Sequence, residues 1–233
     1  MTSNIGFKLA EDRELRRSYF RRRRQETELD KSFPLYEYDS EPMSLYWYAK
    51  SATEMPLLQF LALYQILEFY YPIFSQREAH QKIKNLIKDP RFSPNKDSDI
   101  SKILSSIKQN KNQLGFGSEL DQLKATLTHC IANEGILEIM QSDEEAMEYF
   151  ADKKCKKLAT KTINASNLSS LISDSAERIY EIRCRIVHTK VSEKNYKLLL
   201  PSSPELKFMS FEIAILEQIV KKVLIASSRT INV

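Results

Sequence analysis

Residues 57–71 are apolar except for Gln59, Gln65 and Glu68. A helix of that composition has no polar face to turn to water, so it belongs at the centre of a bundle, covered by other helices. Glu68 is then an acid in an apolar helix, and if buried it must have a partner. Glycine points the same way. The chain has 4 glycines in 233 residues, and sheet-rich folds need many tight turns with positive φ, which glycine mostly supplies. The expectation is an all-α bundle.

Periodicity predicts the helices around that centre: 45–52, 78–88, 99–108, 118–132, 143–150, 167–189 and 205–227. In the 167–189 stretch, Leu168, Leu171, Ile172, Ile179, Ile182, Ile186 and Val187 recur at spacings near three and four, the signature of one apolar helix face. The 205–227 stretch does the same with Phe208, Phe211, Ile215, Ile219, Val220, Val223 and Leu224. Ser118 and Asp121 form a Ser-x-x-Asp capping signal at the start of a helix. Segments 90–97 and 110–117 read as loops, 191–204 as a connection with two prolines, and 33–38 as a short extended piece. Residues 1–42 form a charged N-terminal extension, and 43–233 form the bundle domain.

The net charge of +4 is modest but unevenly spread. Seven arginines, Arg21, Arg22, Arg23 and Arg24 among them, lie between Arg13 and Arg24, and six acids follow between Glu26 and Glu41. A basic block beside an acidic one can clamp to it, bind a partner or touch a phosphate backbone; the plain alternative is a solvated face. Three distant cysteines, Cys130, Cys155 and Cys184, do not suggest a disulfide framework. There is no run of 18 or more uncharged apolar residues and no apolar leader in residues 1–10. The expectation is a reduced, cytoplasmic protein with no membrane partner.

Several chemistries lack support. No Gly-rich phosphate loop, Cys-x-x-Cys pair, His-x-x-x-His pair or Gly-x-Ser-x-Gly elbow occurs. His80, His129 and His188 are far apart, so no metal site is expected, and no cofactor. What remains is Arg178-Ile-Tyr-Glu-Ile-Arg183-Cys-Arg-Ile-Val-His188-Thr-Lys190. A histidine titrates near neutral pH and can act as base or acid. An arginine offers a planar, permanently charged donor set that fits a phosphate. Together they can hold a phosphate and move a proton. Five helical positions correspond to about 140° of rotation, so Arg183 and His188 would flank a groove, while Cys184 and His188 share a face.

Arg183, four intervening residues and His188, near the end of a long helix, resemble the Arg-x4–6-His motif of HEPN domains. The block 46–49 with 57–70 resembles the first core helices of the Apea-like branch of that family. The likeness spans about residues 43–228 and leaves the extension unmatched. It implies a HEPN-like helical bundle and a metal-independent endoribonuclease leaving 2′,3′-cyclic phosphate ends, in the manner of bacterial toxins and phage-defence effectors. Its active residues would be Arg183 and His188, helped by Cys184 and by Glu68 pairing with Arg183 to orient it. Cys184 stands where the family usually has Asn, Asp or His. The alternative is a non-catalytic RNA- or nucleotide-binding or antitoxin module, with His188 as a helix-terminal cation and Arg183 as a structural partner of Glu68. Arg178, Arg185 and Lys190 are expected at the surface, facing RNA. The resemblance also implies a homodimer with a shared site, formed through whatever apolar surface of 167–189 and 205–227 the core leaves free. A cognate inhibitor or defence-system partner protein is the other expected contact.

Overall fold

The computed structural model describes residues 36–108, 118–187 and 197–231. Its helices are α1 (Ser40–Ser51), α2 (Pro56–Lys88), α3 (Asp97–Lys108), α4 (Glu119–Cys130), α5 (Asn133–Gln141), α6 (Glu144–Ala151), α7 (Leu171–Val187) and α8 (Met209–Ser227). Short 3₁₀ turns occupy Lys153–Lys157, Leu168–Ser170 and Pro204–Phe208. The strands in the described residues are β1 (Tyr36–Glu37) and β2 (Arg229–Thr230), which pair antiparallel with Tyr36 opposite Thr230. The fold is an all-α bundle.

Helix α2 is the centre the sequence required. Phe60, Leu63, Tyr64, Ile66, Leu67 and Tyr70 are buried along it, and α1, α4 and α8 pack around them. The helix is long and apolar enough to cross a membrane, but more than half of its apolar stretch is covered by the rest of the bundle. It runs unbroken for 33 residues, where the sequence predicts a break after Tyr71. Pro72 lies inside it and is exposed. A proline takes away one N–H, the one that would bond the carbonyl four residues back, and that carbonyl belongs to Glu68. A solvent-facing ring disturbs the ladder at that one place, and the apolar face carries the helix through.

The capping signal forms as expected. Asp121 N–H donates to Ser118 Oγ at 3.2 Å, and Ser118 N–H donates to Asp121 Oδ2 at 3.0 Å. It fixes the start of α4 and puts Glu119 in the first helical position. Helix α5 was not expected. It begins after Ala132, which supplies no side-chain cap, so its only signal is the apolar trio Ile136, Ile139 and Met140 that it buries. The bundle also takes in Tyr36–Asp39, ahead of the boundary drawn at 42: Tyr38 packs on the core, and Arg229 donates to Asp39 Oδ1 at 3.2 Å.

Candidate functional site

Helix α7 carries the motif, and its arginines point to two different places. Arg178 and Arg185 are seven residues apart, two turns, so they share a face. Leu171 and Ile182 lie on that same face and are fully buried. The face grips residues 155–161, the end of a 3₁₀ turn and the irregular chain after it, whose carbonyls need hydrogen-bond partners. Arg178 donates to the carbonyls of Cys155 (2.8 Å), Lys161 (2.6 Å) and Ala159 (3.4 Å). Arg185 donates to Lys157 (2.8 Å), Leu158 (2.6 Å) and Lys197 (2.6 Å) carbonyls. Between them, Glu181 accepts from the N–H groups of Thr160 (2.8 Å) and Lys161 (3.2 Å).

Arg178 is 0 % exposed and its charge is matched by Glu212 of α8, 5 % exposed. Nε lies 3.0 Å from Glu212 Oε2, and Tyr149 Oη donates to Glu212 Oε1 at 2.7 Å. The Arg178 guanidinium also lies 5.3 Å from the Phe150 ring centre. A buried ion pair of this kind holds only when its remaining donors and acceptors are filled, and here carbonyls and a tyrosine fill them.

Arg183 lies about 140° around the helix from Arg178 and meets a different set of groups. Its Nη2 is 3.0 Å from Glu119 Oε1 and 3.5 Å from Glu68 Oε1. Its guanidinium is 5.6 Å from the centre of the Tyr64 ring, and Tyr64 Oη donates to Glu119 Oε1 at 2.9 Å. Three helices thus bring Glu68 and Tyr64 (α2), Glu119 (α4) and Arg183 (α7) together. The cluster opens to solvent: the side chains of Arg183, Glu119 and Glu68 are 18 %, 28 % and 34 % exposed. Burial, followed by the hydrogen bond with Glu119, pushes the Glu68 carboxyl up to about 7, with Arg183 pulling the other way. Burial likewise raises the Tyr64 hydroxyl, which is therefore a permanent donor.

The structure brings Arg183 and Glu68 together as expected, although Glu119 makes the shorter contact and was missed. Two expectations need correction. Arg178 and Arg185 are not surface residues; at 0 % and 6 % exposure, with their donors turned inward onto backbone carbonyls, they cannot reach RNA. Cys184 is 2 % exposed, and burial raises its thiol, so it is a core side chain with no access to a substrate. The apolar residues of α7 and α8 offered for a dimer contact are largely used inside the chain, with Ile182, Ile219, Val220 and Val223 at 0 % exposure. His188, Lys190 and Arg21 to Arg24 lie outside the described residues. Among the described residues, no group of three or more His, Cys, Asp or Glu side chains is arranged to hold a metal ion. No family model, curated protein or solved structure matches the chain.

Proposed function

We propose that the protein is a metal-independent endoribonuclease of HEPN type, a toxin or antiphage effector, in which Arg183 holds the scissile phosphate and His188 transfers a proton. The observation that carries this reading is the contrast within α7. Arg178 and Arg185 are sealed into the core, whereas Arg183, the motif arginine, stands at a solvent-open cluster beside a carboxyl that titrates near neutrality. An arginine matches the planar oxygens of a phosphate, and a neutral-range acid is what proton transfer at ordinary pH requires. RNA is the proposed substrate. A homodimer and a protein inhibitor remain part of the proposal, with the dimer contact made outside the apolar faces that the core consumes.

The test is incubation of the purified protein with RNA in EDTA, followed by end-group analysis. The reading requires fragments ending in 2′,3′-cyclic phosphate from the wild type and none from His188→Ala. A wild type that binds RNA without cutting it would replace the enzyme with the non-catalytic RNA-binding module. That alternative draws support from the same geometry, because two carboxylates already engage the Arg183 guanidinium.

A further inference from the structure

The reading of this cluster as a ribonuclease site carries a charge problem. Arg183 brings one positive charge, and two carboxylates lie 3.0 and 3.5 Å from its Nη2. If both were ionised, the cluster would be net negative and would repel the phosphodiester that Arg183 has to hold. Two acids sharing a site avoid this by keeping a proton on one of them.

The surroundings decide which one. Glu119 is the first residue of α4, where the helix dipole favours negative charge, and its Oε1 accepts from both Tyr64 and Arg183. Glu68 lies in the middle of α2, with a single longer contact to Arg183 and with Glu119 facing it. Burial and that hydrogen bond to Glu119 bring its carboxyl up to about 7. Two environments that push neighbouring carboxyls apart are how acid and base roles are divided in an active site.

Tyr71 lies against the same spot. Its hydroxyl is buried, at 4 % exposure for the residue, beside that of Tyr64, and lies in the field of Glu68, Glu119 and Arg183. The charged or titratable groups acting on Glu68 are Glu119 from α4, Arg183 from α7 and Tyr71 from its own helix.

We infer that Glu68 is the general acid of this site, held against Glu119 with a proton that it delivers to the leaving 5′-oxygen of RNA. The inference rests on the ribonuclease reading above. In the step, the 2′-oxygen bonds to phosphorus and the P–O5′ bond breaks. The 2′-hydroxyl proton goes to the base, for which the sequence offers His188, and the Glu68 proton goes to O5′. Glu68 is left as a carboxylate and regains a proton from water, to which its side chain is one-third open.

The test uses two dinucleotide substrates, one with the natural 5′-oxygen and one with sulfur in its place, whose thiolate leaves without an acid. On the oxygen substrate, Glu68→Gln should lose about 10²-fold or more, and the wild-type rate should fall above about pH 7. On the sulfur substrate, Glu68→Gln should come close to the wild type, while Arg183→Ala should stay slow on both. A wild type that cuts while Glu68→Gln is unimpaired, or equally impaired on both substrates, overturns the acid role and leaves the ribonuclease reading standing. A wild type that cuts neither substrate overturns both. A ¹³C titration of the Glu68 carboxyl in the free protein gives a readout that does not depend on cleavage. A midpoint near 7 that falls in Glu119→Gln supports the proton-holding pair, and a midpoint at the ordinary 4.5 overturns it.

Discussion

Arg178 and Arg185 on one side of α7, and Arg183 on the other, belong to the same eight-residue stretch of helix, yet their surroundings are opposite in kind. On the first side the two guanidiniums end on fixed acceptors: Glu212, six backbone carbonyls and a tyrosine hydroxyl. On the second side a single guanidinium nitrogen is shared by two carboxylates at the edge of the bundle, and one of those acids titrates near neutral pH. The first arrangement has one best state and resists change. The second has two protonation states of similar free energy, which a static fold gains nothing from and proton-transfer chemistry needs. Charged residues on one helix therefore cannot be read as one population. Their neighbours decide which of them hold the fold and which remain free to react.

The largest effect expected from this contrast is on Arg178. Arg178→Ala would leave Glu212 charged and unpaired in the core, which costs about 3–5 kcal/mol, measured by urea unfolding. A loss under about 1 kcal/mol would mean that this side does not hold the fold. Arg185→Ala comes next. It orphans the carbonyls of Lys157, Leu158 and Lys197 and should cost about 1–3 kcal/mol, with hydrogen-exchange protection lost first in residues 155–161. Protection unchanged there would separate that segment from α7.

A smaller effect concerns pH. The folded Glu68 carboxyl sits above its ordinary value of 4.5, at about 7, because of burial and its hydrogen bond to Glu119. Between those values the folded chain binds more protons than the unfolded one, so Glu68 makes stability fall as pH rises from about 4.5 to about 7. Glu177, bonded first by Lys124 and then by Lys161, is lowered to about 2 and acts in the reverse sense. Its contribution is present above 4.5 and is lost as pH falls toward about 2. Glu68→Gln should therefore flatten the decline between pH 5 and 7, by on the order of 1 kcal/mol once the partial exposure of Glu68 is discounted. A decline that persists in the variant would place its origin in other groups.

Much of this was legible in the sequence, for reasons tied to particular residues. The apolar run 57–71 gave the central helix, and the lone acid in it gave Glu68. Glu212 carries the same signal, an acid among the apolar residues of α8, and it pairs with Arg178 as Glu68 does with Arg183. The positions of Arg178 and Arg185 were also readable. Seven residues apart, they fall on the face of Leu171 and Ile182, but arginine is so often exposed that composition outweighed phase. Glu119 could be placed at the start of α4 by the Ser118 cap. Its meeting with α2 and α7 depends on how three helices pack, and no local pattern encodes that. Helix α5 lacks a side-chain cap, and the continuity of α2 through Pro72 depends on which way the ring faces, which follows from tertiary packing.

The most direct test of the claim that the two sides of α7 do separate work is to measure Arg183→Ala twice, for unfolding free energy and for RNA cleavage. Ion pairs near the surface contribute little to stability, so the variant should unfold within about 1 kcal/mol of the wild type and show no cleavage, and Arg183→Lys should restore little of it because the planar donor set is gone. An Arg183→Ala protein that cuts RNA as well as the wild type, or that loses as much stability as Arg178→Ala, would contradict the account.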